Sequence, residues 1–189
     1  MAKLLYAILV GLVGAAIVHI AVILTIPHVA ERDAWGRLSG LGDLWKVIQI
    51  DGATGTVAGV REGPEHFAFL DPAFAIASCR FALGDGPAHL YSPEKTDFWS
   101  ASVYDRQGNN RYSISDRSAV GGAFDLIVGT PDQLLESRVN SADQDETQIP
   151  VEADFSEGYV ILRALIEHES ERASVNAFSR SMHCEPLNG

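Results

Sequence analysis

Two acid–base pairs, Asp105-Arg106 and Asp116-Arg117, recur 11 residues apart. Tyr104 stands directly before the first pair, and Arg111 and Tyr112 lead into the second. If adjacent strands carry both pairs to one end of a sheet, Tyr104, Asp105, Arg106, Arg111, Tyr112, Asp116 and Arg117 ring a polar cleft. Carboxylates can move protons and guanidiniums can hold oxygen-rich groups, so such a cleft suits a hydrolase or a sugar-binding protein. The competing reading makes the same residues an ion-pair and turn network. Neither reading assigns a catalytic residue.

The other chemistry-bearing side chains form no recognised pattern. The sequence has no G-x-S-x-G elbow, no H-E-x-x-H, no phosphate loop and no G-x-G-x-x-G. Glu167-His168-Glu169 and His183-Cys184-Glu185 carry metal-capable groups, but neighbours along a strand point to opposite faces. They read as solvated charge runs; His66 and His89 are scattered. No metal ligand set and no cofactor is expected.

The elements that would position these residues are mostly strands. Residues 74–83 (FAIASCRFAL) place Ala75, Ala77, Cys79, Phe81 and Leu83 on one face by period two, with Ser78 and Arg80 on the other. Residues 98–105 alternate again, with Trp99, Ala101 and Val103 on one face and Ser100, Ser102 and Tyr104 opposite. Further strands are expected at 45–50, 88–91, 111–115, 124–129 and 158–166. Residues 51–63, 84–87, 107–110 and 141–146 read as turns or loops. Thr130 as N-cap, Pro131 at the first position and Gln133 three residues after the cap specify a helix start. Residues 167–182 read as a terminal helix on the sheet, with Ala173, Phe178 and Met182 as its packing stripe. The expected fold is β-rich, sandwich-like or α+β, with antiparallel meanders.

An apolar rod precedes this domain. Residues 4–26 contain 23 consecutive uncharged, mostly apolar residues, and about 20 suffice to cross a hydrocarbon layer. Apolar residues occur all round, which argues against a helix lying in the membrane surface. Residues 1–30 therefore read as an uncleaved transmembrane anchor with its helix ending at Pro27, and the lipid bilayer as the first partner. A cleaved signal peptide is the competitor. Gly11, Gly14, Ala15 and Ala16 form a small-residue patch, and His19 lies mid-span. Residues 31–44 read as a juxtamembrane linker or short helix, with Trp35 and Trp45 either at headgroup level or in the core. Residues 45–189 form the exposed domain.

Charge fits this partition. All 25 acidic residues and all but Lys3 of the 14 basic ones follow residue 30, a balance of −12 in the domain. So acidic a surface does not gather phosphates, and nucleic-acid binding is not expected. Lys3 and the amino group precede the span, which favours a cytoplasmic amino terminus and, in a bacterium, a periplasmic domain at the inner membrane. Cys79 and Cys184 are the only cysteines. On that oxidising side they are expected to bridge and pin the terminal helix, provided their Cα atoms come within about 7 Å.

Residues 98–118 (FWSASVYDRQGNNRYSISDRS) resemble the hallmark of two related families of domains of unknown function, numbered 1254 and 1214. The matching positions are Phe98-Trp99-Ser100, Val103-Tyr104-Asp105, Gly108, Tyr112 and Asp116-Arg117. Residues 71–83 and 152–166, together with the rod, are similar to a short, membrane-anchored alphaproteobacterial branch of the 1254 family. The resemblance implies a β-sandwich-type domain, a place in the cell envelope and a 1214-type envelope protein as a partner. It implies no catalytic residues. The combined reading is a non-enzymatic envelope protein with a binding or assembly role.

Overall fold

The computed structural model describes residues 2–52, 55–57, 70–140 and 146–187, with backbone alone for 27–33 and 140. His66 and parts of the expected loops at 51–63 and 141–146 lie outside the described residues.

The chain begins with α1 (Ala2–Leu41), one helix of 40 residues. Its segment Ala2–Ile26 is long and apolar enough to cross a membrane, and its large apolar side chains are exposed. The helix does not end at Pro27, as the sequence suggested, but absorbs most of the expected linker. Pro27 cannot donate to the Ile23 carbonyl, so one rung of the ladder is lost. Apolar turns before it and docked turns after it sustain the helix on both sides: Leu38 and Leu41 are buried in the domain. Trp45 then turns the chain at φ +67°, uncommon for a non-glycine residue. Its amide donates to the Arg80 carbonyl at 2.7 Å.

Nine strands follow among the described residues. A five-stranded sheet has the order β1 (Val47–Asp51), β2 (Phe74–Ala82), β8 (Glu157–Leu165), β4 (Trp99–Asp105), β5 (Asn110–Ser115), all antiparallel. A four-stranded sheet has the order β7 (Ile149–Glu152), β6 (Asp125–Gly129), β3 (Ala88–Tyr91), β9 (His183–Pro186). Two strands were not expected from sequence. One is β7, which runs parallel to β6. The other is β9, formed from the residues read as a solvated charge run. The parallel pair is joined by α2 (Pro131–Asn140). Gln133 and Thr130 exchange the reciprocal cap: the Thr130 amide donates to Gln133 Oε1 at 3.0 Å and the Gln133 amide to Thr130 Oγ1 at 3.3 Å.

The two sheets share one buried core. Ala75, Ala77, Cys79 and Phe81 of β2, Trp99, Ala101 and Val103 of β4, Leu90 of β3 and Leu126 and Val128 of β6 all lie in it. Trp99 is fully buried, sets its ring edge-on to Phe124 at 5.3 Å and donates Nε1–H to the Gly122 carbonyl at 2.8 Å. The last helix, α3 (Arg172–Arg180), adds Val175 and Phe178 to this core, and Met182 follows it in. Ala173, expected in the packing stripe, is exposed; Val175 takes that role, because the helix starts later than the sequence suggested. α3 ties the sheets at one side: Gln49 of β1 exchanges hydrogen bonds with Ser179, and Ser92, just past β3, meets Ser181 at 2.7 Å. The fold is an antiparallel-rich α+β domain behind an apolar amino-terminal helix.

Candidate functional site

In β2 the burial runs unbroken from Ala75 to Phe81, so both faces of the strand are covered. The inner face meets the other sheet. The outer face carries Ile76, Ser78 and Arg80, and the end of α1 lies over it. Ser78 and Arg80 do point away from the core, as alternation requires, yet both are buried. A buried polar group must find a partner. Ser78 donates its hydroxyl to the Val160 carbonyl at 2.8 Å. Arg80 donates Nη2–H to the Gly42 carbonyl at 2.6 Å, just past the end of α1. There a cation meets the negative end of the helix dipole. Burial lowers the Arg80 pKa, opposed by the carboxylates of Asp43 and Glu157.

Trp35, from the last turns of α1, completes the junction. Its ring has the Arg80 guanidinium at 4.9 Å and that of Arg106 at 5.7 Å. Each cation–π contact contributes roughly 0.5–2 kcal/mol depending on desolvation. Trp35 also meets Tyr159 at 6.4 Å, and Tyr159 stacks on Tyr104 at 5.0 Å with planes 10° apart. Burial first, then the neighbouring Tyr104 and Asp105, push the Tyr159 hydroxyl up to about 12.

The residues expected to ring one cleft are divided by the hairpin that carries them. β4 runs into the turn at 106–109 and β5 runs back, with Tyr104 opposite Asn110 and Ser100 opposite Ser115. Asp105 therefore stands at the turn end. Asp116 stands at the opposite end, its amide on the Trp99 carbonyl at 3.1 Å. Six residues of strand, about 20 Å, separate them. Tyr112 pairs with Val103 and packs against the inter-sheet core, on the face opposite to Tyr104. Arg117 is exposed, and Asp116 Oδ1 is buried without a hydrogen-bond partner among the described residues.

The turn-end group does come together. Asp105 accepts from the Asn109 amide at 2.9 Å and from Asn109 Nδ2 at 2.9 Å. Arg106 binds Glu157 at 2.6 Å, and Arg111 binds Asp154 while lying 3.9 Å from Asp105. Gly108 supplies the φ of +86° that closes the turn. Gly158, opposite Asp105, admits no side chain: a Cβ there would lie 2.5 Å from the Tyr104 carbonyl oxygen. An open cleft of about 880 Å³ lies beside this group, lined by Arg106, Gln107, Asp154 and Glu157 among others.

A second polar cluster lies on the outer face of the four-stranded sheet. His89 meets Asp125 at 2.9 Å, and Thr147 donates to the other carboxylate oxygen at 3.0 Å. The His89 ring stacks on Tyr91, and Tyr91 on His183. Burial, with Glu185 and Asp125 adding to it, raises the Tyr91 pKa. These residues are scattered in the sequence, and β9 alone aligns His183 and Glu185 with β3. Among the described residues no group of three or more His, Cys, Asp or Glu is placed to hold a metal.

Cys79 of β2 and Cys184 of β9 form a disulfide with Cα atoms 6.5 Å apart. The bridge joins the two sheets through the core rather than pinning the terminal helix, since Cys184 sits in a strand beyond that helix.

A family model described as "Protein of unknown function (DUF1254)" matches residues 63–186, about two thirds of the chain. The chain belongs to that family. The match takes in every strand from β2 to β9, so the DUF1254 region comprises most of both sheets but neither α1 nor β1. No curated protein matches the chain. Among the solved structures similar to it are these two. One, a protein from Vibrio parahaemolyticus, is 10% identical with a TM-score of 0.49 over 62% of this chain and 29% of the other. The second, an uncharacterized protein from Burkholderia cenocepacia, is 13% identical with a TM-score of 0.40 over 64% of this chain and 31% of the other. The chain thus spans about three tenths of the length of the solved structures it matches.

Proposed function

We propose that this chain is a single-pass envelope protein. Its amino terminus lies in the cytoplasm of a bacterium, α1 crosses the inner membrane, and the DUF1254 domain stands in the periplasm to bind or assemble other envelope components. The observation that carries this reading is the unbroken passage of α1 from an apolar segment onto a sheet. A clamped helix sets the height and orientation of the domain, which assembly demands more than turnover of a diffusing substrate does. Lys3 before the span supports the orientation. The Cys79–Cys184 disulfide supports an oxidising compartment. Asp105, Arg106 and Arg111 are engaged with neighbouring residues, which supports a structural use for them. An envelope protein of the 1214 type is the partner that the sequence resemblance suggests.

An alkaline phosphatase fused to the carboxyl end should be active and should stay with the membrane fraction. An inactive fusion, or a soluble product whose amino terminus follows the apolar segment, would overturn the reading. The cleft beside Arg106 and Asp154 favours sugar binding as a second reading, without Asp116 and Arg117. Glycan-array binding that is lost in Asp154→Ala would establish it; an array without signal would remove it.

A further inference from the structure

Beside the α1 junction lies a cavity of about 320 Å³, near the lower end of the ~300–1,000 Å³ range of ligand pockets. One wall is α1 itself, through Ala34, Arg37 and Leu38; the floor is the outer face of the five-stranded sheet, through Ile76, Ile161 and Arg163. Most of the described lining is apolar, and none of it is acidic. That is unusual in a domain carrying a balance of −12. Arg163 faces Ile76 and Ser100 across its neighbouring strands. Its guanidinium has no ion pair or hydrogen bond among the described residues, whereas those of Arg80, Arg106 and Arg111 each have one.

The height of the cavity selects its occupant. Ala34 follows Ile26 by eight residues, about 12 Å along a helix. The headgroup layer beyond the hydrocarbon is roughly 5–8 Å thick on each side. If α1 spans, as proposed above, with Ile26 at the hydrocarbon edge, the cavity mouth stands about 4–7 Å beyond the headgroups, within reach of a lipid drawn partly out of the layer. We infer that this cavity binds an anionic phospholipid of the membrane in which α1 sits. One acyl chain lies against Leu38, Ile50, Ile76 and Ile161, and the phosphate lies on the Arg163 guanidinium. The apolar walls offset the cost of drawing that chain out of the bilayer, and the cation gives the preference for a negative headgroup.

The inference rests on the spanning reading, and one experiment separates the two. The full chain is reconstituted into phosphatidylcholine nanodiscs containing a minority of phosphatidylglycerol, then released and weighed by native mass spectrometry. Retained phosphatidylglycerol is expected in excess of its share. Arg163→Gln should lower that preference about tenfold, the scale of one charge-assisted contact. Ile161→Trp, which fills the cavity, should abolish retention. Far-ultraviolet circular dichroism and an intact disulfide show that each variant is folded. Inorganic phosphate should not compete, because the acyl chain supplies much of the affinity. Failure of the chain to enter nanodiscs overturns both readings. Entry without preferential retention, or retention unchanged in Arg163→Gln, overturns the lipid site alone.

Discussion

The outer faces of the two sheets differ in what covers them. On the five-stranded sheet, β2 is buried on both sides, and its polar residues are held by α1, by a backbone carbonyl or by an aromatic ring. On the four-stranded sheet, β3 alternates buried and half-buried residues, and its outer side chains stack on one another beside water. One sheet has thus been recruited as a seat for the helix, and the other has not. The difference teaches that a buried arginine in an alternating strand marks a face that something else must cover.

Substitutions can break or sharpen this contrast. The largest effect belongs to neither outer face but to the shared interior. Trp99→Ala should lower unfolding free energy by about 3–5 kcal/mol, through lost burial and a cavity. Urea denaturation will measure it. Removing the bridge with Cys79→Ser and Cys184→Ser should cost about 2–4 kcal/mol. The wild type under reducing conditions should come close to that value.

The seat itself comes next. Trp35→Ala should cost about 1–2 kcal/mol by deleting contacts with two guanidiniums and a tyrosine. Hydrogen exchange should then quicken in α1 from residue 34 to 41 and stay slow in β4; equal loosening of both would show that the helix end is integral to the fold. Tyr159 tests the same face by pH. Its pKa in the folded state, about 12, lies above the ordinary value of 10. Its contribution is therefore fully present below pH 10 and is lost as pH rises from 10 to 12. Tyr159→Phe should remove an alkaline loss on the order of 1 kcal/mol. The smallest effect is expected on the open face. His89→Ala should cost about 1 kcal/mol, since the largely buried Asp125 carboxylate keeps Thr147 as a hydrogen-bond partner, and thermal melts can compare it with Trp35→Ala.

The sequence made the inner faces legible. Period-two alternation identifies Ala75, Ala77, Cys79 and Phe81, and Trp99, Ala101 and Val103, because the core accepts only apolar side chains there. The cap at Thr130 and Gln133 was legible because its chemistry is local. β7 was not, since Pro150 lies in it and its pairing with β6 is a long-range fact. β9 hid behind polar side chains that face water on one side of a short edge strand. Pro27 misled because local propensity yields to the apolar turns before it and the docked turns after it. The two acid–base pairs misled in a different way. Each ends its own strand, and in a hairpin consecutive strand ends lie at opposite poles. The seat of α1 was half legible: Arg80 was visible as a charge on the far face, but Trp35 as its partner was not.

The bridge between Cys79 and Cys184 also has a mechanical meaning. Tension along α1 would enter the domain where Gly42 meets Arg80, the residue next to Cys79 in β2. From Cys79 the load crosses a covalent bond to the last strand of the other sheet instead of being borne by hydrogen-bonded strands alone. A domain loaded in this way moves as one body with its helix. Displacement of either end is delivered to the other without the sheets sliding apart.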